Sequence, residues 1–333
     1  MAPSIRHLIW PAAWKASAVL VRSIRNRSPA LELLLKAPLS DQDEAAIRTA
    51  HSRPERAVAL FYQWYFVKLL FAKVLRSPNR NHILQCVSCI DQTGYRGFDE
   101  QLRTNAGRGV VLAVPHHGHY IAAVISLVER ARLSRPVVIM YGDPASHPSN
   151  QLFVGVCSTL WPTPSYNVEF VHTGKRDLRR CLDSLRHGGV LITLPDAYLD
   201  RSDTLEFRFL GRPIDLMLGT ASLARRSGAV VQPVVAAVCE RSGQMSCRFA
   251  NPIEPPVPNG SDFDPLVADY ASTMRMFSMI EAEMGSQAIY WQYVRQHFRR
   301  PVANDPVSAA ELVRAADSLI ALNRRSLGAP IQS

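Results

Sequence analysis

Acidic residues are in short supply: 28 Asp and Glu stand against 38 Lys and Arg in 333 residues, a net charge of +10. Such an excess favours a polyanionic partner or an anionic membrane surface. No block of about five or more like charges occurs, and no compact nucleic-acid motif is present, so nucleic acid is not an expected partner. Cysteine is sparse as well, with six residues in all. Cys86-Val-Ser-Cys89 has the spacing of half a zinc site, but no second pair follows; free buried thiols are expected and no metal. No uncharged apolar stretch reaches about 18 residues, so no transmembrane helix is expected. The apolar start of the chain is broken by Lys15 and Arg22 and lacks a small-residue cleavage site, which argues against a signal peptide. Ser222 and Thr220 sit in no nucleophile elbow, so serine-hydrolase chemistry is a poor fit. Internal repeats are absent.

What is present is a 47% hydrophobic, 20% charged composition that suits a globular chain with a sizeable core. Residues 1–105 read as a helical N-terminal region, punctuated at Ser28-Pro29, Pro38-Leu39-Ser40 and Ser77-Pro78-Asn79. Within it, residues 57–75 (AVALFYQWYFVKLLFAKVL) mix aromatics with Lys68 and Lys73, a composition suited to a helix lying in a membrane interface, while its apolar residues nearly all round suit an ordinary core helix as well. From 106 to 300 strand and helix patterns alternate. Strands are expected at 109–115, 136–141, 167–171, 189–194, 205–210, 229–238 and 245–250, and helices at 119–131, 149–159, 175–187, 217–228 and 264–285. This alternation predicts an α/β fold, a mixed, mostly parallel sheet flanked by helices. Residues 301–333 read as a C-terminal helix, at 307–323, and a tail.

The densest chemistry lies in LAVPHHGHY, residues 112–120, where a short buried strand runs into a helix. His116, His117 and His119 therefore stand at the carboxyl end of a strand, where open α/β sheets bind ligands. An imidazole there can take a proton from a hydroxyl or amine near neutral pH. A second apolar run, Gly189-Val190-Leu191-Ile192-Thr193-Leu194, ends in Pro195-Asp196 and places a carboxylate at another strand end. Trp291 and Tyr293 read as core or interface aromatics.

The block LPDAYLDRSDTLEFRFLGRPIDLMLGTASLARRSGAVVQPVV, with PHHGHY before it and IYWQYVRQHFRR after it, resembles the lipid A late acyltransferases, the lauroyl and myristoyl transferases of the lysophospholipid acyltransferase superfamily. The resemblance runs from about 85 to 298. It implies transfer of a fatty acyl group from an acyl carrier protein or coenzyme A thioester to a hydroxyl of a lipid or sugar; an amine or a specialised metabolite is a further acceptor open to this chain, and no bound cofactor is expected. The basic net charge fits a cytoplasmic protein, peripheral on the inner membrane face.

In that family a histidine followed five residues later by a carboxylate forms the catalytic pair. His116 matches the histidine and becomes the expected general base, but Ile121 stands where the carboxylate belongs. Asp196, which matches the aspartate of a later family motif, is the expected replacement, with Asp143, His119 and His117 as supporting candidates. Arg208, Arg212 and Tyr198 are expected to bind substrate. The rival reading is a lipid- or carrier-binding protein that keeps the fold without catalysis.

Overall fold

A computed structural model describes residues 9–25, 39–104, 107–142, 150–162, 166–172, 175–196, 204–256, 263–300 and 302. The expected helix at 307–323 lies outside them.

The sheet is built from short apolar runs. Strands β1 (Val110–Ala113), β2 (Val137–Met140), β3 (Val168–Val171) and β4 (Val190–Thr193) each hold only four residues, and β1 and β4 are buried throughout. β5 (Leu205–Phe209) and β6 (Arg212–Leu216) form a separate antiparallel hairpin, while β7 (Val230–Val238) and β8 (Met245–Phe249) complete the main sheet. The six-stranded order is β3-β2-β4-β1-β7-β8. All neighbours are parallel except the β7–β8 pair. Alternation within β1 sends Val110 and Leu112 into one core and Val111 and Ala113 into the other, the expected pattern for strands covered on both faces.

Pro233 sits inside a fully buried strand, where a missing N–H would normally break a ladder. Here it falls where β7 changes partner. Residues 230–233 pair with β1 and residues 234–238 pair with β8, so Pro233 closes one ladder before the next begins.

The N-terminal region is helical, as its sequence predicts: α1 (Ile9–Arg25), α2 (Asp41–Thr49), α3 (Pro54–Leu75), α4 (Arg80–Val87) and α5 (Tyr95–Thr104). Ser40 caps α2 with a reciprocal capping box to Asp43, and Asn79 caps α4. The core cluster beneath these helices is continuous with the sheet: it runs from Trp10 and Trp64 through Leu112 and Ile192 to Tyr290. α3 is long and apolar enough, by length and composition, to cross a membrane. One face of it, carrying Leu60, Phe61, Trp64, Val67 and Phe71, is nevertheless buried inside the protein, while Leu69 and Leu70 are exposed. Downstream come α6 (Tyr120–Ala131), α7 (Gln151–Leu160), α8 (Lys175–Arg186), α9 (Gly219–Ser227), α10 (Pro265–Met284), a 3₁₀ turn over Gly285–Tyr290 and α11 (Val294–Phe298).

Candidate active site

Strand register creates the site. β1 and β4 are adjacent and parallel, with Ala113 opposite Thr193. His116 lies three residues past Ala113 and Asp196 three residues past Thr193, so the two side chains leave the sheet side by side. Nδ1 of His116 donates to Oδ1 of Asp196 at 2.8 Å, and the backbone N–H of His116 donates to Oδ2, also at 2.8 Å. The indole N–H of Trp291 donates to the same Oδ2 at 2.6 Å. Asp196 is fully buried, and its carboxyl oxygens are satisfied away from water by these three donors. The His116 side chain keeps 11% of its surface exposed. Its ring is met edge-on by Tyr120 at 4.7 Å and Tyr293 at 5.3 Å between centroids.

Backbone contacts fix the turn that carries His116. The carbonyl of His116 accepts from the N–H of Gln292 at 2.9 Å, and the N–H of Gly118 donates to Tyr290 at 2.9 Å. Gly118 has φ +58°, and a Cβ there would collide with the carbonyl oxygen of Ala236. Glycine is required at this position on both counts.

His117 and His119 do not join the pair. His117 is fully buried, and its Nδ1 and Nε2 face the carbonyls of Ala236 at 2.9 Å and Gln287 at 2.8 Å, so it ties β7 to the 3₁₀ turn. Burial presses its pKa below the ordinary histidine value, against the pull of those two carbonyls. His119 packs on Trp10 at 4.8 Å and Phe71 at 6.3 Å, and neither ring nitrogen has a hydrogen-bond partner among the described residues. Burial, with Lys68 nearby, pushes its pKa down to about 3. Ile121 occupies the first turn of α6 and packs against apolar core, and Asp196 reaches the imidazole from the neighbouring strand instead.

Among the remaining expected residues, Asp143 and Tyr198 lie outside the described ones. Arg208 is exposed on β5 opposite Pro213. Arg212 donates to the carbonyl of Arg300 and lies over the Phe298 ring. Trp291 is the partner that sequence reading passes over. It is buried as a core aromatic should be, yet its polar edge reaches Asp196; the available signal was its place in the IYWQYVRQHFRR segment.

The family model of the bacterial lipid A biosynthesis acyltransferases matches residues 90–300, about two thirds of the chain. The chain belongs to that family. Its class of chemistry is therefore acyl transfer, and the matched span contains β1 to β8, the His116–Asp196 pair and Trp291. Comparison with curated proteins finds no match. No cluster of three or more metal-ligating side chains occurs among the described residues.

Proposed function

We propose that this acyltransferase moves a fatty acyl group from an acyl carrier protein or coenzyme A thioester to a hydroxyl or amine of a lipid, sugar or specialised metabolite, with His116 as general base. The observation that carries the reading is the 2.8 Å bond from His116 Nδ1 to a buried carboxylate. With Nδ1 donating to Asp196, the lone pair of the neutral ring resides on Nε2. Nε2 takes the proton of the acceptor group while the acceptor oxygen or nitrogen attacks the thioester carbonyl. Asp196 holds the ring in this tautomer and stabilises the imidazolium that forms. Collapse of the tetrahedral intermediate breaks the carbon–sulfur bond, and the imidazolium returns its proton to the departing thiolate. Products are an ester or amide and a free thiol, with no metal or bound cofactor consumed.

The basic surface and the aromatic, lysine-bearing α3, with Leu69 and Leu70 exposed, support a peripheral position on the cytoplasmic face of the inner membrane. The test is to incubate the protein and a His116→Ala variant with acyl carrier protein and coenzyme A thioesters of several chain lengths plus a membrane lipid extract. Mass spectrometry then follows thioester loss and new acyl products. Product formed by the parent and lost in the variant supports the reading and identifies the acceptor; equal turnover in both sinks His116 as the base.

A further inference from the structure

A cleft of about 370 Å³ is lined by Asp43, Gln292, Tyr293, Arg295, Gln296 and Arg299. Two features connect it to the reacting histidine. Tyr293 stands edge-on to the His116 ring, and the N–H of Gln292 bonds the His116 carbonyl. At its rim, Lys68 of α3 donates to the side-chain oxygen of Gln292 at 3.3 Å and lies 5.1 Å from the centre of the Trp64 ring.

Charge in this cleft is unbalanced. Three cations, Lys68, Arg295 and Arg299, face one carboxylate, Asp43. That carboxylate is already occupied: it accepts from the N–H and hydroxyl of Ser40 and from Arg299 at 2.6 Å. Arg295 reaches it only at 3.7 Å, and among the described residues no carboxylate lies within ion-pair reach of Lys68. A partly buried ammonium held by an amide oxygen and an indole face, beside a guanidinium with donors to spare, is a poorly neutralised arrangement. A tetrahedral oxyanion satisfies it: each of its oxygens accepts charge-assisted hydrogen bonds, and the planar fork of Arg295 matches two of them.

We propose that the cleft formed by Gln292, Arg295 and Arg299, with Lys68 at its rim, binds the phosphate group of one substrate of the acyl transfer reaction. The inference rests on the acyl-transfer reading for the substrate's identity but not for the binding chemistry. Two sources supply such a phosphate, the pantetheine arm of the donor and a phosphorylated acceptor. In either case the cleft anchors the substrate while its reactive end reaches His116.

Isothermal titration calorimetry on the full chain tests this with two probe pairs: 4′-phosphopantetheine against pantetheine, and glucosamine 1-phosphate against glucosamine. One pair is expected to show about tenfold tighter binding of its phosphorylated member, and which pair does so names the source. The preference should vanish in a Lys68→Gln/Arg295→Gln double variant, persist in Lys68→Arg, and persist in His116→Ala. Equal binding within both pairs, or a preference that survives the double variant, overturns the proposal. Turnover is scored separately, so a wild-type protein that prefers phosphate yet transfers no acyl group would refute the acyl-transfer reading and leave the cleft standing.

Discussion

His116 and His119 sit three residues apart in one turn, and they are opposites. His116 has a carboxylate on Nδ1, two aromatic edges beside its ring and some exposed surface. His119 lies between Trp10 and Phe71 with both nitrogens unpartnered among the described residues. The same side chain is tied to a carboxylate in one place and enclosed by apolar rings in the other. Residue type names the candidates here, and the neighbouring elements set their surroundings: the turn after β4 brings Asp196 to His116, whereas α1 and α3 pack the rings of Trp10 and Phe71 on His119.

The largest effect should come from breaking the polar side of this comparison. His116→Ala and Asp196→Asn are each expected to lower acyl transfer by roughly 10³–10⁴-fold, judged by other imidazole–carboxylate sites. His119→Phe should leave the rate within a few-fold. Steady-state kinetics on the three variants decides it, and comparable losses in all three would erase the distinction between the histidines. Next comes the glycine that lets the turn exist. Gly118→Ala adds a Cβ at φ +58° against the Ala236 carbonyl, and is expected to cost about 2–4 kcal/mol of stability. Thermal or denaturant unfolding reads this directly; a loss under about 1 kcal/mol would mean that the turn relaxes at little cost.

Much of this was legible in the sequence. Apolar four-residue runs separated by helical patterns give the α/β class, and the expected strands at 109–115, 189–194 and 229–238 all contain observed ones. His116 and Asp196 stand out because each follows such a run. Their pairing was not legible, since it depends on β1 and β4 being neighbours in a register that sets Ala113 opposite Thr193, and nothing local to either strand states that. Trp291 was hidden for a related reason: an aromatic surrounded by apolar residues reads as core, and the partner of its N–H lies 95 positions away. The N-terminal helices likewise gave no sign that Trp10 would pack on His119, a contact made where α1, packed against α3, meets the turn after β1.

Trp291→Phe sharpens the wired side of the comparison. It keeps the ring and deletes one of three donors to Asp196, leaving a buried carboxylate short of a hydrogen bond. A charge-assisted bond of this kind is worth about 1.5–3 kcal/mol. Acyl transfer is expected to fall about tenfold or more, with the remaining activity still lost on His116→Ala. Unchanged kinetics would make Trp291 a packing residue only.

The smallest effect belongs to the apolar side and is best seen in pH. His119 has its pKa depressed from 6.5 to about 3, chiefly by burial. Below about pH 6.5 an unfolded histidine gains a proton that the folded ring refuses, so the unfolded state binds more protons and stability drops as pH falls. Between pH 8 and pH 5.5 this one residue should remove about 1 kcal/mol. His119→Phe fills the same slot between Trp10 and Phe71 with no titrating group. It is expected to match or exceed the parent in stability at pH 8 and to lose about 1 kcal/mol less on the way to pH 5.5. Parallel pH slopes for parent and variant would show that His119 does protonate in the folded state, and that burial between Trp10 and Phe71 does not keep it neutral.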